Sequence, residues 1–79
     1  MKLTLKYFGM IEESIGKSED EMSFENTLSV SELHSKLISK YPSIKSKSFQ
    51  IAVNQELKDN DFIINDNAEI ALLPPFAGG

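Results

Sequence analysis

The chain contains no cysteine. That absence excludes a disulfide framework, thiolate catalysis and every sulfur-ligated metal site. No apolar stretch approaches the roughly 18 residues of a membrane-spanning helix, and the N-terminus enters an alternating pattern without a charged and then apolar leader. Positive charge is also scarce. Eight basic residues against 12 acidic ones leave a formal net charge of -4, which argues against nucleic acid or an anionic membrane as the main partner, since both select clustered cations. With 79 residues, 41% of them hydrophobic, the chain can build one domain around one thin core, most easily a helix packed on a sheet. A large enclosed active site does not fit that size. A soluble, cytoplasmic chain that works with protein partners is the expectation.

What is present reads as strand, strand, helix, strand, short strand, strand. From Lys2 to Phe8 the residues alternate, with Leu3, Leu5 and Tyr7 on one face and Lys2, Thr4, Lys6 and Phe8 on the other. Gly9 closes that strand, and Ile11 and Ile15, four apart, give a short helical turn that ends at Gly16. Met22 and Phe24 alternate with polar neighbours over Glu21 to Glu25, which predicts a second strand ended by Asn26 and Thr27. The main helix is the best-marked element. Ser29 and Glu32 have capping-box spacing, Leu28 and Leu33 that of a hydrophobic staple, and Val30, Leu33, Leu37, Ile38 and Tyr41 form an apolar stripe that Pro42 terminates. Phe49, Ile51 and Val53 alternate with Gln50, Ala52 and Asn54 as a third strand, turning near Asn54 and Gln55 into a brief strand at Glu56 to Lys58. Phe62 to Ile64 is a small apolar patch, Asn65 to Asn67 a turn, and Ala68 to Leu73 the last strand, with Ile70 and Leu72 inward. The pattern predicts an α+β domain over residues 1–73, a mixed sheet of about five strands with one main helix on one face.

Residues 74–79, Pro74-Pro75-Phe76-Ala77-Gly78-Gly79, have the composition of no packed element. Two prolines after a strand remove two backbone donors and fix φ, so the chain must leave the sheet as a stiff arm. Six extended residues reach roughly 20 Å. Ala77, Gly78 and Gly79 present almost no side chain, so the carboxylate of Gly79 could be threaded down a tunnel too narrow for a branched residue. Adenylation would turn that carboxylate into an electrophile, which is the logic of a covalent group carrier. A frayed end in which Gly-Gly is incidental is the alternative, and the two glycines alone do not decide.

Other chemistry is weakly signalled. His34 lies on the helix's apolar stripe with no second ligand to share a metal, and reads as a partly buried, locally satisfied histidine. Asp59, Asp61, Asp66 and Glu69 lack the spacing of a calcium loop. Lys36, Lys40, Lys45 and Lys47 cluster where cations offset a helix dipole. No phosphate loop, nucleophile elbow or acid and base pair can be assembled, so the isolated chain is not expected to be an enzyme, nor to hold a metal or a permanent cofactor.

The element order, the Ala52-Val53-Asn54-Gln55 turn and above all Leu72-Leu73-Pro74-Pro75-Phe76-Ala77-Gly78-Gly79 resemble the small subunits of molybdopterin synthase, a family of ubiquitin-like sulfur carriers. The resemblance runs over the whole chain. It implies a β-grasp fold with the first and last strands parallel and adjacent at the centre of the sheet. Family members often carry Val after the prolines, so Phe76 is a departure. The resemblance further implies that Gly79 is adenylated with ATP by an E1-like adenylating enzyme and converted to a thiocarboxylate with sulfur from a cysteine desulfurase. The large subunit of molybdopterin synthase would then receive the tail, and two sulfur deliveries would convert cyclic pyranopterin monophosphate into the dithiolene of molybdopterin. A related carrier for thiamin synthesis or tRNA thiolation shares the fold and the Gly-Gly but would not ordinarily carry Pro74 and Pro75. A ubiquitin-like interaction module that never carries sulfur is the third reading. Strand parity puts Phe8 and Leu73 on the face away from the helix, and adjacent end strands would bring them together. With Leu57 they form a candidate partner-binding patch at the base of the tail.

Overall fold

Alternation makes the first strand. β1 (Lys2–Tyr7) buries Leu3, Leu5 and Tyr7 and turns Lys2, Thr4 and Lys6 to the other face. The computed structural model describes residues 1–75. After β1 come α1 (Gly9–Ile15), β2 (Glu19–Ser23), β3 (Leu28–Ser29), α2 (Val30–Lys40), β4 (Gln50–Val53), β5 (Glu56–Leu57), β6 (Ile63–Ile64) and β7 (Ala68–Leu73). The main sheet has the order β2-β1-β7-β4-β5. β1 and β7 run parallel with Leu5 opposite Ile70 and Tyr7 opposite Leu72, and the other pairings are antiparallel. The first and last strands are therefore the central neighbours that the resemblance implies.

The start of α2 has the expected signals. The Ser29 hydroxyl accepts from the Glu32 N–H at 3.0 Å, and the Glu32 carboxylate accepts from the Ser29 N–H at 2.8 Å, a complete capping box. Leu28 and Leu33, the staple pair, are both buried, as are Val30 and Leu37, while Ile38 and Tyr41 pack partly buried against the same core. The helix stops at Lys40, before Tyr41 and Pro42, and a single 3-10 turn (Pro42–Ile44) buries Ile44.

Several elements differ from the sequence reading. β2 begins at Glu19, two residues early, because its inward position opposite Leu5 is Asp20, a carboxylate that breaks the apolar alternation. Phe24 lies beyond β2 but still exchanges two bonds of 2.9 Å with Met1, through its own N–H and the Met1 amine. The Phe62 to Ile64 patch holds β6, which pairs with β3 to form a separate two-stranded sheet with Leu28 opposite Ile64. Two-residue strands leave no period to read. Phe8 caps α1 rather than ending β1, and Gly9 is that helix's first residue. The turn at Asn54 and Gln55 is where expected, with φ of 50° and 72°. Asn54 suits such a conformation, and it extends the sheet past β4: its N–H donates to the Glu69 carbonyl at 2.8 Å and its Oδ1 accepts from the Glu69 N–H at 3.0 Å.

Asp20 is tolerated inside because its surroundings complete its hydrogen bonds. Its Oδ2 accepts from the hydroxyls of Tyr7 and Tyr41, its Oδ1 from the Glu21 N–H, and Lys40 and Lys17 stand 3.5 and 3.8 Å away. Burial alone would raise the Asp20 pKa. The Tyr41 hydroxyl, the Glu21 N–H and the two lysines outweigh it and hold the carboxyl below its ordinary value. Burial first, and then the Asp20 charge, push the Tyr7 hydroxyl well above the usual tyrosine range, so it stays a donor. Because the folded pKa of Asp20 is depressed, its contribution is present above the unfolded value and is lost as pH falls through the folded one. Urea unfolding should therefore show stability falling below about pH 4. Asp20→Asn should cost about 1–3 kcal/mol at pH 7, the side chain being only 13% exposed, and should flatten the acid limb. An acid limb identical in the two proteins would remove Asp20 from the account.

Candidate functional site

Parallel pairing of β1 and β7 means that both strands finish at the same end of the sheet. The residues following β1, Phe8 and Gly9, consequently stand beside those that follow β7. Pro74 is half-buried against Gly9 and Pro75 is exposed. Neither proline has an N–H with which to continue the ladder, so pairing stops at Leu73, at the root of the tail. Phe76, Ala77, Gly78 and Gly79, the rest of the expected threading segment and its reacting end, lie outside the described residues.

The three residues of the expected patch share the sheet face away from α2. Phe8 follows Tyr7 on β1's line and Leu73 follows Leu72 on β7, so the ladder brings them side by side. Leu57 lies two strands away from Leu73, opposite Ala52, which is itself opposite Ala71. The two alanines make a low floor between the larger side chains. Ala52 is buried even though it faces away from the helix, because Ala71 and Leu57 flank it. Phe8 is 42% exposed and Leu57 54%, and Leu73 is half-buried. The half of this face far from the tail is polar, with Lys6 3.4 Å from Glu69 and Lys2 3.9 Å from Glu21. The face is thus apolar next to the tail and ion-paired away from it.

Sequence reasoning missed two features of this region. Met10, 60% exposed in the first turn of α1, adds an apolar side chain next to Gly9. Its signal was its position outside the Ile11 and Ile15 pair. The Gly9 contact with Pro74 joins residues distant in sequence and could be read only from the strand pairing.

Elsewhere the chemistry is sparse. His34 is half-buried and stacks on Phe49 with ring centroids 4.7 Å apart, so it lies within packing. The two rings line a groove of about 430 Å³ with Val30, Ile51 and Lys58. Among the described residues no group of three or more His, Cys, Asp or Glu side chains could hold a metal, and no helix is long and apolar enough to cross a membrane. Lys40 is engaged by Asp20 and Lys36 lies over the Phe24 ring, so part of the basic cluster at the end of α2 serves the fold. Chemically, the described residues present an exposed apolar surface beside the point where the tail begins.

The ThiS family model matches residues 5–79 of the chain. A molybdopterin synthase sulfur carrier subunit from Mycobacterium tuberculosis is 30% identical over 82 residues, covering 100% of this chain and 99% of that protein. A putative molybdopterin converting factor subunit 1 from Pyrococcus furiosus has a TM-score of 0.88 at 21% identity, over 96% of this chain and 99% of that one. A chain in the protein–protein complex of subunits 1 and 2 of molybdopterin-converting factor from Helicobacter pylori has a TM-score of 0.68 at 24% identity, over 100% of both chains.

Proposed function

The chain belongs to the ThiS family and has the ubiquitin-like β-grasp fold, and from that premise we propose that it is the sulfur carrier of a molybdopterin synthase, with Gly79 as the loaded end. One observation carries the proposal: the likeness to a sulfur carrier subunit spans 100% of this chain, tail included. In this reading an activating enzyme uses ATP to adenylate the Gly79 carboxylate. A carboxylate oxygen attacks the α-phosphorus and pyrophosphate leaves. A persulfide sulfur supplied through a cysteine desulfurase then attacks the carbonyl carbon and AMP departs, leaving an acyl disulfide; a thiol cleaves its S–S bond, forming a disulfide with the donor, and the tail ends in a thiocarboxylate. ATP is consumed by the partner, and this chain contributes no acid or base.

The thiocarboxylate is delivered in the active site of the large synthase subunit, where it gives sulfur to the cyclic pyranopterin precursor in two rounds. The complex of two subunits reported for the Helicobacter pylori protein supports a partner of this kind. Phe8, Leu57 and Leu73 dock that subunit and the activating enzyme in turn. Pro74 and Pro75 keep the arm extended, and Phe76 to Gly78 thread it. A cytoplasmic setting goes with such partners.

Intact mass after co-expression with an activating enzyme and a sulfur source tests the chemistry. The expected result is replacement of one oxygen by sulfur, confined to the C-terminal peptide. An unmodified chain, beside a control carrier that is loaded, would overturn the carrier reading. Conversion of the pterin precursor on adding a large subunit then separates this pathway from thiamin synthesis and tRNA thiolation.

A further inference from the structure

Charge is spread unevenly along the chain. Residues 33–55 hold four lysines and no acidic residue, whereas the rest holds four lysines against all 12 acidic residues. A basic segment therefore sits in a protein whose net charge is -4. Two of its lysines have partners in the fold: Lys40 stands 3.5 Å from Asp20, and Lys36 lies over the Phe24 ring. Lys45 and Lys47 differ. Among the described residues neither forms an ion pair, although α1, which carries the exposed Glu12 and Glu13, meets the same region where the Ser43 hydroxyl donates to the Ser14 carbonyl at 3.1 Å. Their backbone is held in place. Ile44 is buried, Phe49 packs against the core, and the Lys45 and Lys47 N–H groups donate to the Pro42 and Ile44 carbonyls at 3.1 and 3.0 Å.

Register decides where these lysines lie. β4 runs antiparallel to β7 with Gln50 opposite Leu73, so the chain entering β4 stands at the end of the sheet where β7 stops and the tail begins. Lys47 and Lys45 precede Gln50 by three and five residues, spans of at most about 11 and 18 Å. We infer that Lys45 and Lys47 form a positively charged rim beside the root of the tail, and that its occupant is an acidic protein surface bordering the site where a partner receives the tail. The inference rests on the carrier reading and adds the chemistry of the partner's surface. A protein that takes the tail must close over its root, and so comes up against these two lysines. An ammonium covered without an opposite charge loses hydration that nothing replaces, so the covering surface has to supply carboxylates. Their attraction acts before contact, over about 8 Å at physiological ionic strength, while the acidic remainder of the molecule repels the same surface. The asymmetry thus turns the tail end of the carrier towards its partner. Phe8, Leu57 and Leu73 hold the complex, and the lysines orient the approach.

The test is the association rate of the full chain with its large subunit and with its activating enzyme, followed by surface plasmon resonance from about 0.05 to 0.5 M NaCl. The double variant Lys45→Glu, Lys47→Glu should associate about 10-fold more slowly with both partners at low salt, within the range that steering supplies. At high salt, where the charges are screened, the loss should shrink below about twofold. The dissociation rate should change less than the association rate. Lys2→Glu, at the other end of β1, makes the same change of charge as Lys45→Glu and should keep the wild-type rate, while Lys45→Glu slows it. If the double variant fails to fold, Lys45→Gln and Lys47→Gln decide, since they remove charge without adding any. A loss independent of salt, equal effects of Lys2→Glu and Lys45→Glu, a loss with one partner alone, or no change would each overturn the inference. So would binding to phosphatidylglycerol vesicles or duplex DNA that depends on the two lysines while partner association does not. Wild-type chain that binds neither partner at any salt would sink the carrier reading and the inference with it, whereas normal binding by wild type and variants alike overturns the inference alone.

Discussion

Adding one residue after Gly79, or deleting Gly79, should abolish sulfur transfer and leave the thermal melting curve unchanged. The reacting carbon must come within about 3.5 Å of its attacker, and one residue of extended chain moves it by about 3.3 Å, so a shift of one residue takes it out of range. The fold should be indifferent to the change. Among the described residues Leu3, Leu5, Ile70 and Leu72 are buried between the sheet and α2, and β7 ends at Leu73. Gly78→Val adds a branched side chain at the narrowest point of the proposed path and should block adenylation for a steric reason. Intact mass and ATP–pyrophosphate exchange read these outcomes. An extended chain that still acquires sulfur at its new end would mean that the activating enzyme recognises something other than position.

The next largest effect is expected at the docking face. Phe8→Ala and Leu73→Ala should each weaken binding to the large subunit and to the activating enzyme by about 1–3 kcal/mol, as expected of anchors at the centre of an interface. Phe8 is 42% exposed and makes no part of the buried core, so its truncation should cost little stability. Both partners must receive the same tail from the same root, so the two complexes should be mutually exclusive. Titration calorimetry with each partner, and competition between them, measures this. A large fall in melting temperature with unchanged affinities would place these side chains in the core.

Local signals made much of this legible before any coordinates. The limits of α2 followed from Ser29, Glu32 and Pro42, whose effects act within one turn of the helix. The strand at Ala68 to Leu73 followed from period-2 burial and the Asn65 to Asn67 turn. The end of pairing at Leu73 followed from two missing N–H groups. Pairing was different: that β1 lies parallel to β7 came from the family resemblance, since alternation shows which face of a strand is buried and not which strand lies next to it. β6 and the start of β2 escaped for opposite reasons. Ile63–Ile64 is too short to show a period, and Asp20 places at an inward position a residue whose charge is accommodated in part by Tyr41, Tyr7 and Lys40, partners from elsewhere in the chain. The apolar face beside the tail was partly legible, because Phe8 and Leu73 have the right parity, but the alanine floor that separates them from Leu57 needed the register.

The order β2-β1-β7-β4-β5 bears on how the protein comes to be made. One half of the sheet is the antiparallel pair of β1 and β2, the other is the hairpin of β4 and β5, and β7 is the seam that joins them. That seam leaves the ribosome after all the other strands. Neither half can stand alone, since a two-stranded ribbon is marginal in water, and closing the sheet requires contact between the first and last strands across nearly the whole chain. Folding should therefore wait for β7, and the stretch that carries the tail follows it immediately. A nascent chain paused before Ala68 should remain open to protease, and protection should appear abruptly once β7 has cleared the exit tunnel.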